Sequence, residues 1–505
     1  MSTATTKLEY GDYQTPATLA EASCCVLARL GIQPKAILEP TCGVGSFLKA
    51  GVENFESIVV AKGFEINAEY IDVAQGLLGR VTRAVAISVE EGNFFVMDWP
   101  AIVASLPEPL LVLGNPPWVT NSALGCVGSD NLPTKSNFQN QAGLDAVTGK
   151  SNFDISEYML IRLSEALQGK YATLAMLCKT AVARKLMLYC WKRNLEMGDC
   201  HIFPIDAQRD FGVAVEASLF VASFNGRGKD LSCIVHGDFE SSSQCGHLGY
   251  RDGSLISDVN QYDEWEFLRG KTSYTWRSGV KHDCAKVMEF REENGNLVNG
   301  FGESVRLEEN FLYPLLKSSA VAGSEKAGKR HVLVTQRSVG EDTSVIAHIA
   351  PRTWHYLLDH AKWLDKRASI IYKIRPRFCV FGIGEYSFAP WKVVISGFYK
   401  RLEFRVIGPS SGRAVMLDDT AYFLGCNDES EARLVAELLN SPSAQGFLSS
   451  LIFWDAKRPI TVDVLSRLSI ERVAEHLGKG GLLKQASQRS RPEARHPDLF
   501  LDAMV

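Results

Sequence analysis

Ile37-Leu38-Glu39-Pro40-Thr41-Cys42-Gly43-Val44-Gly45-Ser46-Phe47 reads as a short apolar strand that ends in an acid and a proline, then a turn with two glycines, then the start of a helix. Glycine lets the backbone turn sharply and pass close to a ligand. A dinucleotide-binding turn is the obvious rival. It asks for a third glycine where this chain has Leu48, and it gives no reason for an acid and a proline ahead of the turn. Around this segment, apolar runs suited to buried parallel strands occur at Ala36 to Leu38, Ile58 to Phe64, Leu110 to Leu113 and Tyr171 to Leu177. Helix-like stretches at Ala68 to Leu78 and Ser156 to Leu167 lie between them. The alternation predicts an α/β class fold, a doubly wound Rossmann-like sheet. Two further runs, Ala217 to Phe224 and Leu231 to Phe239, flank the turn-forming Asn225-Gly226-Arg227-Gly228 and predict a closing hairpin.

Ligands of open α/β sheets sit at the carboxyl ends of the strands. Glu39 stands at the first such end, beside Pro40 and the Gly43/Gly45 turn, placed to pair with the cationic amino group of a methionine moiety. The next strand ends in Gly63-Phe64-Glu65-Ile66, and Glu65 is placed to accept from both hydroxyls of a ribose. Asp98 follows Asn93-Phe94-Phe95-Val96-Met97 and is expected to accept from an adenine amino group while Trp99 covers the ring. Singly, each acid reads more often as a helix cap or a surface charge. Three acids at successive strand tips point to S-adenosylmethionine as the cofactor.

The run Leu110-Leu-Val-Leu-Gly-Asn115-Pro116-Pro117-Trp118 carries a buried strand straight into an amide, two prolines and a large aromatic. The prolines fix the backbone. The amino nitrogen of adenine is a poor nucleophile because its lone pair is delocalised into the ring. Two acceptors, the side-chain oxygen of Asn115 and the carbonyl of Pro116, would take its two hydrogens and leave the lone pair free to attack a methyl group. Trp118 is expected to give a flat surface on which a base swung out of a duplex stacks.

With 505 residues, 46% hydrophobic and 22% charged, the composition is that of a globular protein of two or three domains. The longest apolar stretches are too short to span a membrane, and the first twenty residues lack the apolar core of a signal peptide, so a cytoplasmic protein is expected. The twelve cysteines show no repeated metal-ligand spacing, and no metal is expected. The net charge of −4 argues against a polyanion ligand, but its distribution reverses that: Lys326 to Arg405 holds 15 Lys and Arg against 6 Asp and Glu. The polar stretch Glu240 to Gly253 reads as a linker. It places a catalytic domain at 1–245, a second α+β domain at 254–485 and a mobile tail at 486–505. In the second half, short β-like runs at His331 to Thr335, Phe378 to Ile383 and Lys392 to Ile395 alternate with helical ones at Thr353 to Leu364 and Glu431 to Leu439.

Over about its first 240 residues the chain resembles the gamma class of adenine amino-methyltransferases of bacterial restriction–modification systems. In that class an N-terminal cofactor segment, the glycine motif, the Asn-Pro-Pro-aromatic motif and a target-recognition domain follow in this order. Tyr10-Gly11-Asp12-Tyr13-Gln14-Thr15-Pro16 is similar to the family's Gln-Thr-Pro element, which implies that Thr15 and Pro16 cover the methionine end of the cofactor. Glu39, Gly43, Gly45, Phe47, Glu65 and Asp98 match the family's cofactor positions. Asn115, Pro116, Pro117 and Trp118 match its catalytic motif, where tyrosine or phenylalanine is commoner than tryptophan. Ser151 to Tyr158 resembles the helix start that follows in the family, with Asp154 capping or orienting. Asp210 to Val215 resembles the segment whose phenylalanine contacts the flipped base, so Phe211 is either a base contact or core. Trp276 to Asp283 and Ile383 to Lys392 resemble stretches of recognition domains, while Tyr372-Lys373-Ile374-Arg375-Pro376-Arg377-Phe378 interleaves cations and aromatics in a manner suited to phosphate contact. Arg277, Lys281, Lys373, Arg375, Arg377 and Lys392 are the candidate DNA contacts.

The resemblance implies a nucleoid-associated enzyme that methylates adenine in double-stranded DNA by base flipping, and since action on hemimethylated DNA needs no symmetry, a monomer is expected. It would protect host DNA against a separately encoded restriction endonuclease. The cytosine amino group presents the same chemistry and stays open. The intact Asn115 and the three acids speak against the remaining rival, a non-catalytic DNA-binding subunit.

Overall fold

The computed structural model describes residues 13–119, 154–224, 231–239, 243–323 and 329–489. The chain divides into two compact units, Met1–Val259 and Asn260–Val505. In the first unit the elements are α1 (Ala17–Arg29), β1 (Ala36–Glu39), α2 (Ser46–Asn54), β2 (Val60–Glu65), α3 (Ala68–Leu78), β3 (Ala86–Glu91), α4 (Trp99–Ala104), β4 (Leu110–Gly114), α5 (Ile155–Ala166), β5 (Ala172–Lys179), α6 (Thr180–Lys192), β6 (Gly198–Ile205), α7 (Ala207–Phe211), β7 (Ala217–Phe224), β8 (Ser232–His236), β9 (Gln244–Arg251) and β10 (Ser254–Ile256).

These strands form one sheet in the order β10-β9-β8-β6-β7-β5-β4-β1-β2-β3. Strands β3, β2, β1, β4 and β5 are parallel, and β7 runs antiparallel between β5 and β6. β1 and β4 are buried along their whole length, as their unbroken apolar sequence requires in a sheet covered on both faces. Each fully buried leucine of β4 contributes about 1.5–3 kcal/mol. Strand order reverses between β1 and β4, so Glu39 and Gly114 stand at the point where ligands of such sheets bind.

The expected hairpin is not formed. β6 lies between β7 and β8, antiparallel to the first and parallel to the second, while Asn225 to Gly228 lie outside the described residues. β7 is buried almost throughout and needs a neighbour on each edge. That neighbour, with His201 and Pro204 inside it, does not look like a strand in the sequence. The supposed linker is also structured: residues 240–242 lie outside the described residues, but Gln244–Arg251 is β9, paired with β8 and β10. Its glycines and polar side chains suit a strand one in from the edge, mostly open to solvent at Gln244 and Cys245, as well as they suit a linker. The division between units accordingly falls after Val259 rather than between 245 and 254.

The second unit carries a four-stranded and a six-stranded sheet together with helices such as Pro351–Asp359, Glu429–Leu439 and Pro442–Leu451. Trp391–Ser396 and Arg330–Leu333 are strands near the expected places, whereas Phe378 to Ile383 makes only an isolated bridge from Phe381 to Lys281. Phe378 has φ of 66°, which breaks an extended run. The helix expected at Thr353 to Leu364 is two, Pro351–Asp359 and Ala361–Leu364. Helix Gly480–Arg489 enters the expected tail, anchored by the buried Leu483, and residues 490–505 lie outside the described residues. No helix among the described residues is long and apolar enough to cross a membrane.

Candidate active site

The glycine turn is built as its sequence demands. Gly43 has φ of 51° and Gly45 φ of 83°, the left-handed region that side chains with a Cβ rarely adopt. A Cβ on Gly43 would also collide with the Gln14 side chain, whose Oε1 accepts from Val44 N at 3.1 Å. Gly43 N donates to Glu65 Oε2 at 2.8 Å, and Glu65 Oε1 accepts from Ile66 N and Asn67 N at 2.9 and 3.0 Å. A carboxylate has about four acceptor positions. Three of these are used by the backbone, so Glu65 retains capacity for one further donor rather than for two ribose hydroxyls.

Glu39, at the end of β1, is buried and accepts from Leu48 N at 3.1 Å. Burial, helped by the nearby Glu65 carboxylate, pushes its carboxyl well above the usual range. This buried acid has no cationic partner among the described residues. Together with the turn at Gly43 and Glu65, it fits a ligand that brings a cationic amino group and a polyol.

Two expected cofactor contacts are displaced. Asp98 stands seven residues beyond the end of β3, is exposed, and caps α4 by accepting from Ala101 N at 3.2 Å. Trp99 is only 2% exposed, packed on Phe64 and Phe94 with its indole N–H on Phe94 O, so it covers no ligand ring. The residues that do follow β3 are Gly92, Asn93 and Phe94, and Asn93 Oδ1 accepts from Phe95 N at 3.0 Å. The signal for Asn93, a Gly-Asn pair closing a strand, is present in the sequence but weaker than the acid downstream. Phe47 is core, buried among α1 and α2 side chains, because the first turn of α2 packs inward. Pro40 is buried beside Glu39.

At the end of β4, Asn115 Nδ2 donates to Tyr13 O at 3.2 Å and to Thr15 Oγ1 at 3.3 Å. The segment expected to cover a cofactor is therefore tied to the amide of Asn115, and Pro16 begins α1 as its cap. Tyr10 to Asp12 lie outside the described residues. Asn115 Oδ1 is buried and has no hydrogen-bond partner among the described residues. Pro116 is buried and Pro117 half-buried. Trp118 is 6% exposed rather than an open stacking surface. Its indole N–H donates to Leu177 O at 3.2 Å, and its ring meets Phe211 edge-on at 5.0 Å and Tyr13 at 6.3 Å. Phe211 is partly buried against the core and forms part of this cluster. The start of α5 is capped by Asp154 as expected, while Ser151 to Phe153 lie outside the described residues. Asp154 also meets Lys179 at 2.5 Å. A single lysine closing an apolar strand was the only sequence signal for that contact.

In the second unit two of the singled-out stretches meet, with the Arg277 guanidinium 4.6 Å above the Tyr386 ring. Lys373, Arg375 and Arg377 are exposed, and Arg377 is held by both oxygens of Asp365. Lys281 pairs with Asp283 at 3.7 Å. Lys392 is no surface cation: it is 1% exposed, its ammonium donates to Ala389 O at 2.7 Å, and burial lowers its pKa to about 7. As an inward residue of a central strand it has no route to solvent.

The chain is similar to the type II methyltransferase M.NspV of Nostoc sp. (strain ATCC 29411 / PCC 7524), with 45% identity over 477 residues, 93% of this chain and 98% of that protein. No family model matches. The type IIL restriction–modification enzyme MmeI, solved in complex with DNA, aligns over 97% of this chain and 80% of its own, with a TM-score of 0.50 and 13% identity. A type I restriction–modification methyltransferase subunit from Streptococcus thermophilus aligns over 50% of this chain and 52% of its own, at 16% identity and a TM-score of 0.30. The likeness to MmeI shows a shared fold. The identity with M.NspV runs through nearly all of both chains, and on it the chain belongs to the type II methyltransferase family.

Proposed function

We propose that the protein methylates the exocyclic amino nitrogen of an adenine flipped out of duplex DNA, using S-adenosylmethionine, as the modification enzyme of a restriction–modification system. Family membership supports DNA methylation within such a system, and a fold shared with a protein solved on DNA supports the DNA partner. The observation that carries the catalytic reading is the orphaned Asn115 Oδ1. Leaving a buried acceptor unpaired costs about 1–3 kcal/mol, and the amide is held in that orientation by Tyr13 O and Thr15 Oγ1. It is a waiting partner for an N–H donor.

The cofactor supplies an electrophilic methyl group on a sulfonium. Glu39 would hold its amino group and Glu65 its ribose, and the Gly43 to Gly45 turn would allow the close approach. Asn115 Oδ1 and the Pro116 carbonyl take the two hydrogens of the adenine amino group, so the nitrogen presents its lone pair. Rigidity from Pro116 and Pro117 keeps the two acceptors in register. Stacking falls to the cluster of Tyr13, Trp118 and Phe211 rather than to a free face of Trp118. The nitrogen that receives the methyl would become acidic only as the new N–C bond forms, so its proton would pass to solvent afterwards and no strong base is needed. The second unit reads the DNA through Arg277, Lys281, Lys373, Arg375 and Arg377. The enzyme acts as a cytoplasmic monomer beside a separately encoded endonuclease.

The test is single-molecule sequencing of genomic DNA from a methylation-deficient bacterial host that expresses the chain or its Asn115→Ala variant. Methylated adenine in one short motif, absent with the variant, is the expected result. Methylated cytosine at that motif would transfer the reading to the cytosine amino group. Unmodified DNA despite folded protein would overturn it.

A further inference from the structure

We propose that Lys179 is a positioning residue for methyl transfer. Held by Asp154, its ammonium fixes the backbone at Trp118 and through it the Asn115 and Pro116 acceptors. This rests on the catalytic reading given above for Asn115 and Pro116.

Lys179 closes β5, a strand whose interior is buried from Leu174 to Cys178. A lysine in such a position must find partners for its charge. Its Nζ donates to Asp154 Oδ2 at 2.5 Å and to the carbonyl of Trp118 at 3.0 Å. Asp154 is itself held, because its Oδ1 accepts from Ser156 N at 3.1 Å and Ser156 Oγ at 2.5 Å at the start of α5. The lysine is thus a fixed point rather than a mobile tether.

Trp118 is gripped twice from one strand: its carbonyl by Lys179, its indole N–H by Leu177 O at 3.2 Å. One residue on, Val119 O accepts from Ile155 N at 2.9 Å, which ties the same backbone to the first turn of α5. Upstream, Asn115 is held by Tyr13 and Thr15. Between these anchors lie only Pro116 and Pro117, whose φ angles are set by their rings. Fixing the Trp118 carbonyl therefore sets the direction of the Pro116 carbonyl relative to Asn115 Oδ1. Lys179 acts through Trp118.

The full-length protein with Lys179→Met, Lys179→Arg or Asp154→Asn is compared with wild type in single-turnover transfer of tritiated methyl groups to unmethylated bacterial genomic DNA. Cofactor affinity, thermal stability and a crystal structure of each variant complete the comparison. Lys179→Met is expected to slow transfer about 100-fold, the effect of an ångström-scale misplacement. Cofactor affinity and apparent KM for DNA should stay within about twofold, the pattern of an interaction used at the chemical step. Lys179→Arg, which can still span both acceptors, should recover most of the rate, and the Pro116 carbonyl should be displaced in the crystals of Lys179→Met. An unchanged rate, a rate defect matched by one in cofactor affinity, or an unmoved Pro116 and Trp118 would overturn the proposal. If Lys179→Met fails to fold, Asp154→Asn, which keeps shape but removes the charge that holds Lys179, decides in its place. If wild type transfers no methyl to DNA, it is the catalytic reading that fails, and the crystal structures alone decide whether Lys179 positions Trp118.

Discussion

Asn115 and Thr15 stand 100 residues apart in sequence, yet Asn115 Nδ2 donates to Thr15 Oγ1 at 3.3 Å. This hydrogen bond, with that to Tyr13 O, ties back Nδ2 and leaves Oδ1 as the end of the amide that the proposed mechanism turns to the substrate. Thr15→Val keeps the shape and removes the acceptor, leaving Tyr13 O as the sole orienting partner. Turnover should fall about 3- to 10-fold, the worth of one neutral hydrogen bond, while Thr15→Ser stays near wild type. Asn115→Ala removes the acceptor itself and should cost about 100- to 1000-fold. Steady-state methyl incorporation into unmethylated DNA measures both; a Thr15→Val enzyme as active as wild type would separate Thr15 from the amide.

Glu39 sets stability against binding. Burial holds its carboxyl protonated above the ordinary 4.5, so the ligand-free folded protein keeps a proton that the unfolded chain has released. Stability contributed at this residue therefore declines as pH rises from the ordinary carboxyl range towards the raised value. Glu39→Gln removes the decline and should raise the melting temperature of ligand-free protein in neutral and alkaline buffer. Binding a cationic amino group calls for the ionised form, so wild-type affinity for S-adenosylmethionine should tighten as pH rises. The Gln variant should bind about 10- to 100-fold more weakly, the worth of a charged hydrogen bond, with a flat pH response. Calorimetric titrations across pH check this, and equal slopes for the two proteins would remove Glu39 from the binding site.

The glycine turn at Gly43 and Gly45 and the buried strand that runs into Asn115 are legible in the sequence because their signals are local. A glycine turn after a strand, and an amide before two prolines, are constrained by backbone geometry within a few residues. What was illegible depends on packing. Trp99 and Phe47 carry side chains fit for either a ligand or the core, and only the folded neighbourhood assigns them to the core. Asp98 reads as a strand-tip acid because β3, with a single buried residue, Val89, gives a weak strand pattern that does not mark its end. The misplaced hairpin has the same origin, since β6 enters the sheet next to β7 without an unbroken apolar run. Lys392 counted towards a basic surface on composition, although its ammonium lies inside.

The burial of Lys392 divides the basic region into groups that can and cannot meet DNA. Lys373 and Arg375 are exposed and carry no ion pair among the described residues. Arg377 is already bound bidentately to Asp365. The Lys373→Ala and Arg375→Ala double variant should weaken binding to a DNA duplex and flatten its logarithmic salt dependence by about 2, roughly one for each phosphate no longer neutralised. Lys392→Met should leave the slope unchanged. Fluorescence anisotropy over a salt series measures it, and an unchanged slope in the double variant would place the DNA on another face.

Lys392 instead contributes a second pH dependence to stability, opposite in sign to that of Glu39. Its pKa is lowered from 10.5 to about 7 by burial. Between about 7 and 10.5 the unfolded chain binds a proton that the folded protein does not, so stability at this residue rises with pH across that window. Below it both states are protonated and the folded protein carries the whole cost of a buried ammonium, offset only in part by the bond to Ala389 O. Lys392→Met fills the same volume without charge. It should stabilise the protein by about 2–4 kcal/mol at neutral pH, with the gain shrinking towards the alkaline end of the window. Thermal unfolding of both proteins across that range gives the comparison: curves that converge as pH rises fit a buried amine, whereas curves that stay parallel would mean that Lys392 reaches solvent and titrates as an ordinary lysine.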